Sequence, residues 1–114
     1  MYDRIKLILK KIEHIETIID EGSITEALSD EITKKPAILM HLVSIAEQFK
    51  KLQDDLDLEI LAKFDKEDVR GALAIRNFIA HDYEGVNMAI VEDVIRIYLP
   101  KVKQTIEEIL STKK

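Results

Sequence analysis

The chain has no cysteine. That excludes a disulfide framework and any thiolate metal site, and it suits a reducing compartment. It has no tryptophan, aromatic residues make up 5% of its length, and its 114 residues include only three glycines and two prolines. Sheets need turn residues at every reversal, so a chain this short of them is built more readily from helices. No stretch approaches the roughly 20 apolar residues of a membrane span. The opening Met1-Tyr2-Asp3-Arg4-Ile5-Lys6 passes directly into an amphipathic pattern with acidic residues, unlike a signal peptide, and a cytoplasmic location is expected. Positive charge is also short: the net charge is −5. A general nucleic-acid binder is basic, so contact with RNA would have to rest on a local patch.

What is present is aliphatic. Ile5, Ile8, Ile12, Ile15 and Ile19 recur at alternating steps of three and four, which predicts a helix over residues 2–20 with one apolar stripe, stopped by Gly22. Ser23 with Glu26 resembles a capping box and opens a short helix through Ala27, Leu28 and Ile32. Pro36 either begins the next helix or kinks a continuous one. From Ala37 the residues Leu39, Leu42, Val43, Ile45, Ala46, Phe49 and Leu52 carry that helix onward.

Residues 54–65 read as a connection that tucks Leu58, Ile60, Leu61 and Phe64 onto the rest. Asp65 caps a helix bearing Val69, Ala72, Leu73 and Arg76 and ending near His81; Glu84-Gly85-Val86-Asn87 is a turn, with Asn87 as N-cap. A last helix runs through Val91, Val94, Ile95, Tyr98, Val102, Ile106, Ile109 and Leu110, kinked by Pro100 and fraying at Ser111-Thr112-Lys113-Lys114. Four long amphipathic helices with short links predict an all-α, antiparallel up-and-down four-helix bundle with a short extra helix, one domain over residues 1–114.

Most sites of known chemistry are missing. There is no glycine-rich phosphate loop and no serine or cysteine nucleophile setting. His14 and His41 stand apart in sequence, and the run Asp54, Asp55, Asp57, Glu59 lacks the glycine and spacing of a calcium loop, so no metal site and no cofactor are expected. Lys10-Lys11, Lys34-Lys35 and Lys50-Lys51 read as solvated faces.

One octapeptide differs from the rest: Arg76-Asn77-Phe78-Ile79-Ala80-His81-Asp82-Tyr83, which holds the chain's only Arg–Asn pair. Arg supplies charge for a phosphate, His a proton donor and acceptor near neutral pH, and Tyr a hydroxyl. Residues five apart on a helix point about 140° apart. Arg76 and His81 therefore converge only if the helix ends or loosens between Ala80 and His81. A second reading stays open at this level: His81 near a helix C-terminus suits the dipole, and Arg76 makes a surface pair with Asp82 or Glu84.

The spacing Arg76-Asn77, four residues to His81, then Tyr83 closely resembles the signature of the HEPN superfamily, and more narrowly its HepT-like branch. Ser44-Ile45-Ala46-Glu47-Gln48 resembles the small-Glu segment of the preceding long helix, and Val91 to Leu110, with Leu99-Pro100, resembles the closing helix. Asp82 stands where many relatives have glycine, and the Pro-Trp stretch common between the two long helices is absent.

The resemblance implies a helical bundle that forms a homodimer with the motif facing a cleft between subunits. It implies a metal-independent endoribonuclease acting on RNA as the toxin of a type II toxin–antitoxin pair, neutralised by a minimal nucleotidyltransferase that in some systems adds AMP to the motif Tyr. Carried over, Arg76 stabilises phosphate charge, His81 is the general acid/base, Asn77 is an auxiliary contact, Tyr83 is the modification site, and Glu47 touches the site from the neighbouring helix. The alternatives are a non-catalytic subunit that binds a nucleotidyltransferase, and a plain helical oligomerisation domain.

Overall fold

The computed structural model describes residues 2–20, 22–81 and 83–112. The chain folds as an all-α bundle, with no strand among the described residues. Its elements are α1 (Asp3–Ile19), α2 (Ile24–Ser29), α3 (Lys34–Asp54), α4 (Leu58–Leu61), α5 (Lys66–His81), α6 (Met88–Asp93), a π-helical turn (Val94–Tyr98) and α7 (Leu99–Thr112). Among the described residues no helix is long and apolar enough to cross a membrane.

The isoleucine stripe makes the core. Ile5, Ile8, Ile12 and Ile15 are 0–1% exposed, and burying each contributes about 1.5–3 kcal/mol. They pack on α3, which lies between α1 and α5. Side-chain pairs fix the directions of the helices. Arg4 at the start of α1 donates to Asp55 just beyond α3, 3.0 Å, and Lys103 early in α7 meets Glu16 late in α1, 2.9 Å. Arg76 of α5 faces Glu47 of α3, while Leu73, earlier in α5, lines a cleft with Asp54, later in α3. Each pair of neighbours is therefore antiparallel.

Local chemistry sets most of the ends. Ser23 accepts from the Glu26 N–H at 3.0 Å and Asn87 from the Ala89 N–H at 2.9 Å, both as N-caps. Asp65 does the same for Glu67 at 2.8 Å and starts α5. Other ends depart from the expectation. α1 stops at Ile19, before Gly22, whose N–H donates to the Ile19 carbonyl. α2 stops at Ser29, and Ile32 is left 88% exposed. The Asp30 carboxylate takes the Ile32 and Thr33 N–H groups and the Thr33 hydroxyl, which diverts the backbone from a further helical turn. These bonds also hold the Asp30 pKa below its ordinary value. Pro36 sits in the first turn of α3, where its missing N–H is not needed, so it neither opens a helix nor kinks one.

The connection over 54–65 is more structured than the pattern suggested. α3 closes in a Schellman cap: Leu56 N–H bonds to the Gln53 carbonyl, Asp57 N–H bonds to the Leu52 carbonyl, and Leu56 takes a φ of +55° with no glycine to ease it. A second short helix, α4, follows. Phe64 then meets Phe49 edge to face at 5.2 Å and anchors the segment on the bundle.

The last helix widens into a π turn just before Pro100, where the sequence predicted a kink. The Leu99 N–H reaches back five residues to the Val94 carbonyl. Pro100 has no N–H for the Arg96 carbonyl, and its ring would crowd that carbonyl in a regular turn; the π turn relieves both faults.

Candidate functional site

α5 is held by one face. Val69, Ala72, Ile75 and Ile79 are buried against α3 and the π turn, and this fixes the rotation that turns Arg76, Asn77, Phe78 and His81 outward. α5 stays helical through His81, so the loosening between Ala80 and His81 that convergence would require does not occur. At about 100° per residue, Asn77 and then His81 follow Arg76 around the helix, and Phe78 lies beyond them.

Two adjoining clefts result. The first, about 390 Å³, is lined by Glu47, Lys50, Lys51 and Asp54 of α3 with Leu73, Arg76 and Asn77 of α5. The second, about 720 Å³, is lined by Ala74, Asn77, Phe78 and His81 of α5 with Gly85, Val86, Asn87 and Ile90. Asn77 belongs to both. Arg76 and His81 thus do not share a cleft; they flank the residue that divides two.

The carboxylate beside Arg76 is that of Glu47, 3.9 Å from Nε, with the two side chains 45% and 50% exposed. At that distance the pair is Coulombic and not a hydrogen bond, so the guanidinium donors are not consumed by it. Glu84 is exposed, and Asp82, the other partner the sequence offered Arg76, lies outside the described residues. Tyr83 follows the end of α5 in a bend, half-buried and packed on the core.

Lys50 and Lys51 were not recognisable as site residues from their own neighbourhood. Lys50 pairs with Asp54 at 2.9 Å. The available signal was spacing: on one helix, Glu47, Lys50, Lys51 and Asp54 fall on a single face. The first cleft therefore holds three cations against two carboxylates, a local positive bias on an acidic protein. Phe78 is 51% exposed in the second cleft, and nothing in the spacing marked it.

Away from the clefts, His14 and His41 are not isolated as expected. α1 and α3 bring their rings to 5.2 Å in a T-shaped contact. Burial first, then the charges of Lys11 and His14, push the His41 pKa below its ordinary value. Among the described residues no three His, Asp or Glu side chains converge as metal ligands would.

Comparison with known proteins places the chain among ribonucleases by similarity. Residues 8–109 match the family described as ribonuclease HepT-like. A protein of Methanocaldococcus jannaschii named "Putative RNase" is 29% identical over 102 residues, covering 87% of this chain and 80% of its own. No solved structure matches the chain.

Proposed function

The chain belongs to the ribonuclease HepT-like family, and from that premise we propose that it is a metal-independent endoribonuclease whose cleavage site lies at Asn77, between the Arg76 and His81 clefts. The observation that carries this reading is the sharing of Asn77 by a cleft biased toward cations and a cleft bearing an exposed histidine. A phosphodiester laid across Asn77 meets charge on one side and a proton carrier on the other.

In the reaction, the RNA 2′-hydroxyl gives its proton to His81 and its oxygen attacks the adjacent phosphorus. The P–O2′ bond forms and the P–O5′ bond breaks. The leaving 5′-oxygen takes up a proton, and the fragment upstream is left with a 2′,3′-cyclic phosphate. The Arg76 guanidinium neutralises the charge that builds on the phosphoryl oxygens. Asn77 contacts the same phosphate, and Glu47 holds Arg76 toward the cleft. Two proton transfers ask much of one histidine; in a homodimer each copy supplies one.

The protein acts as the toxin of a toxin–antitoxin pair, with a minimal nucleotidyltransferase as its partner. The Tyr83 hydroxyl, attacking the α-phosphorus of ATP with release of pyrophosphate, is the point at which that partner silences it. The test is RNA cleavage in EDTA by the purified protein beside His81→Ala. The expected result is a fall of at least about 10²-fold in the variant with unchanged circular dichroism and Tm. Equal cleavage by a folded His81→Ala protein would overturn the reading.

A net charge of −5 favours a second reading, a non-catalytic subunit that binds the transferase through the same residues. It expects no cleavage by either protein, and a complex with the transferase in which Tyr83 gains the mass of one AMP.

A further inference from the structure

Phe49 and Phe64 are 0% and 4% exposed and belong to the core, whereas Phe78 is 51% exposed. It sits on the outward face of α5, where packing makes no demand for an aromatic ring, in the cleft onto which His81 opens. Single exposed apolar residues are ordinary; the surroundings of this one are specific. Asn77 and Asn87 line the same cleft, and Ile90 adds an apolar wall. The Asn87 side-chain oxygen is committed to the Ala89 N–H, which leaves its NH₂ group as a pair of donors. A flat apolar ring between two amides suits a nucleobase, which has a face to stack and an edge to hydrogen-bond. The adjoining cleft, with Arg76, Lys50 and Lys51, carries the charge that a ribose-phosphate backbone would need beside it.

We infer that Phe78 is the base-stacking platform of this site: the nucleobase flanking the scissile phosphate lies on its ring, and the neighbouring phosphates run along Arg76, Lys50 and Lys51. The inference rests on the endoribonuclease reading and adds to it the residue that positions the nucleotide. The occupant of the Phe78 ring is RNA, even where a second copy brings its own His81 to the same site. A stable dimer buries about 800 Å² on each partner, whereas the apolar lining of this cleft is four side chains, Phe78 and Ile90 exposed and Ala74 and Val86 partly buried, set among amides.

The experiment uses a short single-stranded RNA of mixed sequence in which each nucleotide in turn is made abasic. Its affinity is measured with His81→Ala, which binds without cutting, and with His81→Ala carrying Phe78→Leu or Phe78→Trp. One abasic position is expected to weaken binding by about tenfold when residue 78 is Phe or Trp, and to have no effect when it is Leu. On the otherwise wild-type protein, Phe78→Leu is expected to raise KM with kcat little changed. Equal sensitivity of the Phe and Leu proteins to every abasic position overturns the inference. So does a drop in the mass of Phe78→Leu in solution, which would make the residue an interface between copies. Cleavage that survives His81→Ala sinks the nuclease reading alone, because the abasic series is read by binding. Failure of the wild-type chain to bind RNA at all sinks both.

Discussion

α1 and α5 are nearly equal in length and both pack on α3, yet they are built for different ends. α1 presents four isoleucines to the core, all at most 1% exposed, and an outward face of ordinary charge. α5 buries two isoleucines, Ile75 and Ile79, but fills the rest of its face with Val69 at 9% and Ala72 at 6%, and includes Gly71 and a buried aspartate, Asp68, whose Oδ1 has no hydrogen-bond partner and lies 4.0 Å from the Lys101 ammonium. Its outward face carries Arg76, Asn77, Phe78 and His81. The helix that displays the chemistry is the one whose packing is less than optimal. Where a fold holds stability and where it holds function can therefore be separated helix by helix.

The comparison breaks most visibly on α1. Ile8→Ala removes a fully buried side chain and is expected to cost about 2–5 kcal/mol in urea unfolding, while the kcat of the molecules that remain folded is unchanged. A matching loss of kcat would mean that α1 supports the site directly. On α5 the expectation reverses. Arg76→Gln is expected to lower kcat by about 10²–10³-fold and to leave Tm in place, since its ion pair with Glu47 is long and half-exposed.

Asp68 sharpens the contrast through pH. Burial raises its carboxyl pKa above the unfolded value of 3.8, with Lys101 opposing. The penalty is therefore present at neutral pH and is relieved as pH falls through the raised folded value toward 3.8. Asp68→Asn should stabilise the protein at pH 7 by roughly 1 kcal/mol, and the advantage should shrink on acidification across that window. An advantage independent of pH would show that the charge is not the cause. The smallest effect belongs to Gly71. A Cβ there would meet the Tyr98 ring at an ordinary 3.8 Å, so Gly71→Ala should add about 0.5–1 kcal/mol from helix propensity alone, visible as a rise in Tm.

The stripe Ile5 to Ile15 and the caps Ser23, Asp65 and Asn87 were legible in the sequence because each is a local rule: a period, or a side chain matched to the N–H groups just ahead of it. Where two local rules competed, the sequence was misleading. Asp30 outbid the apolar Ile32 for the backbone, and Leu56 took a left-handed conformation normally marked by glycine because the Schellman bonds around it were worth more. Part of the candidate site was out of reach for another reason. The Arg-to-Tyr motif lies within one octapeptide, but the meeting of that motif with the α3 face of Glu47, Lys50 and Lys51, like that of His14 with His41, depends on how helices pack, and spacing along one helix shows only its own half.

The π turn before Pro100 has a consequence for load paths. In an unbroken α-helix, residues 91 and 109 are eighteen positions apart, five full turns, and point the same way. The wider turn puts the two stretches out of phase, so one continuous apolar stripe serves two neighbours: α6 meets α2, and α7 meets α1. Ile90 and Asn87, which wall the cleft opposite His81, are thus braced through α6 by the short helix α2, where the Thr25 hydroxyl donates to Glu92. The far wall of the cleft is therefore footed twice, on one of the bundle's shortest members and on the core itself, where Val91 of α6 is fully buried.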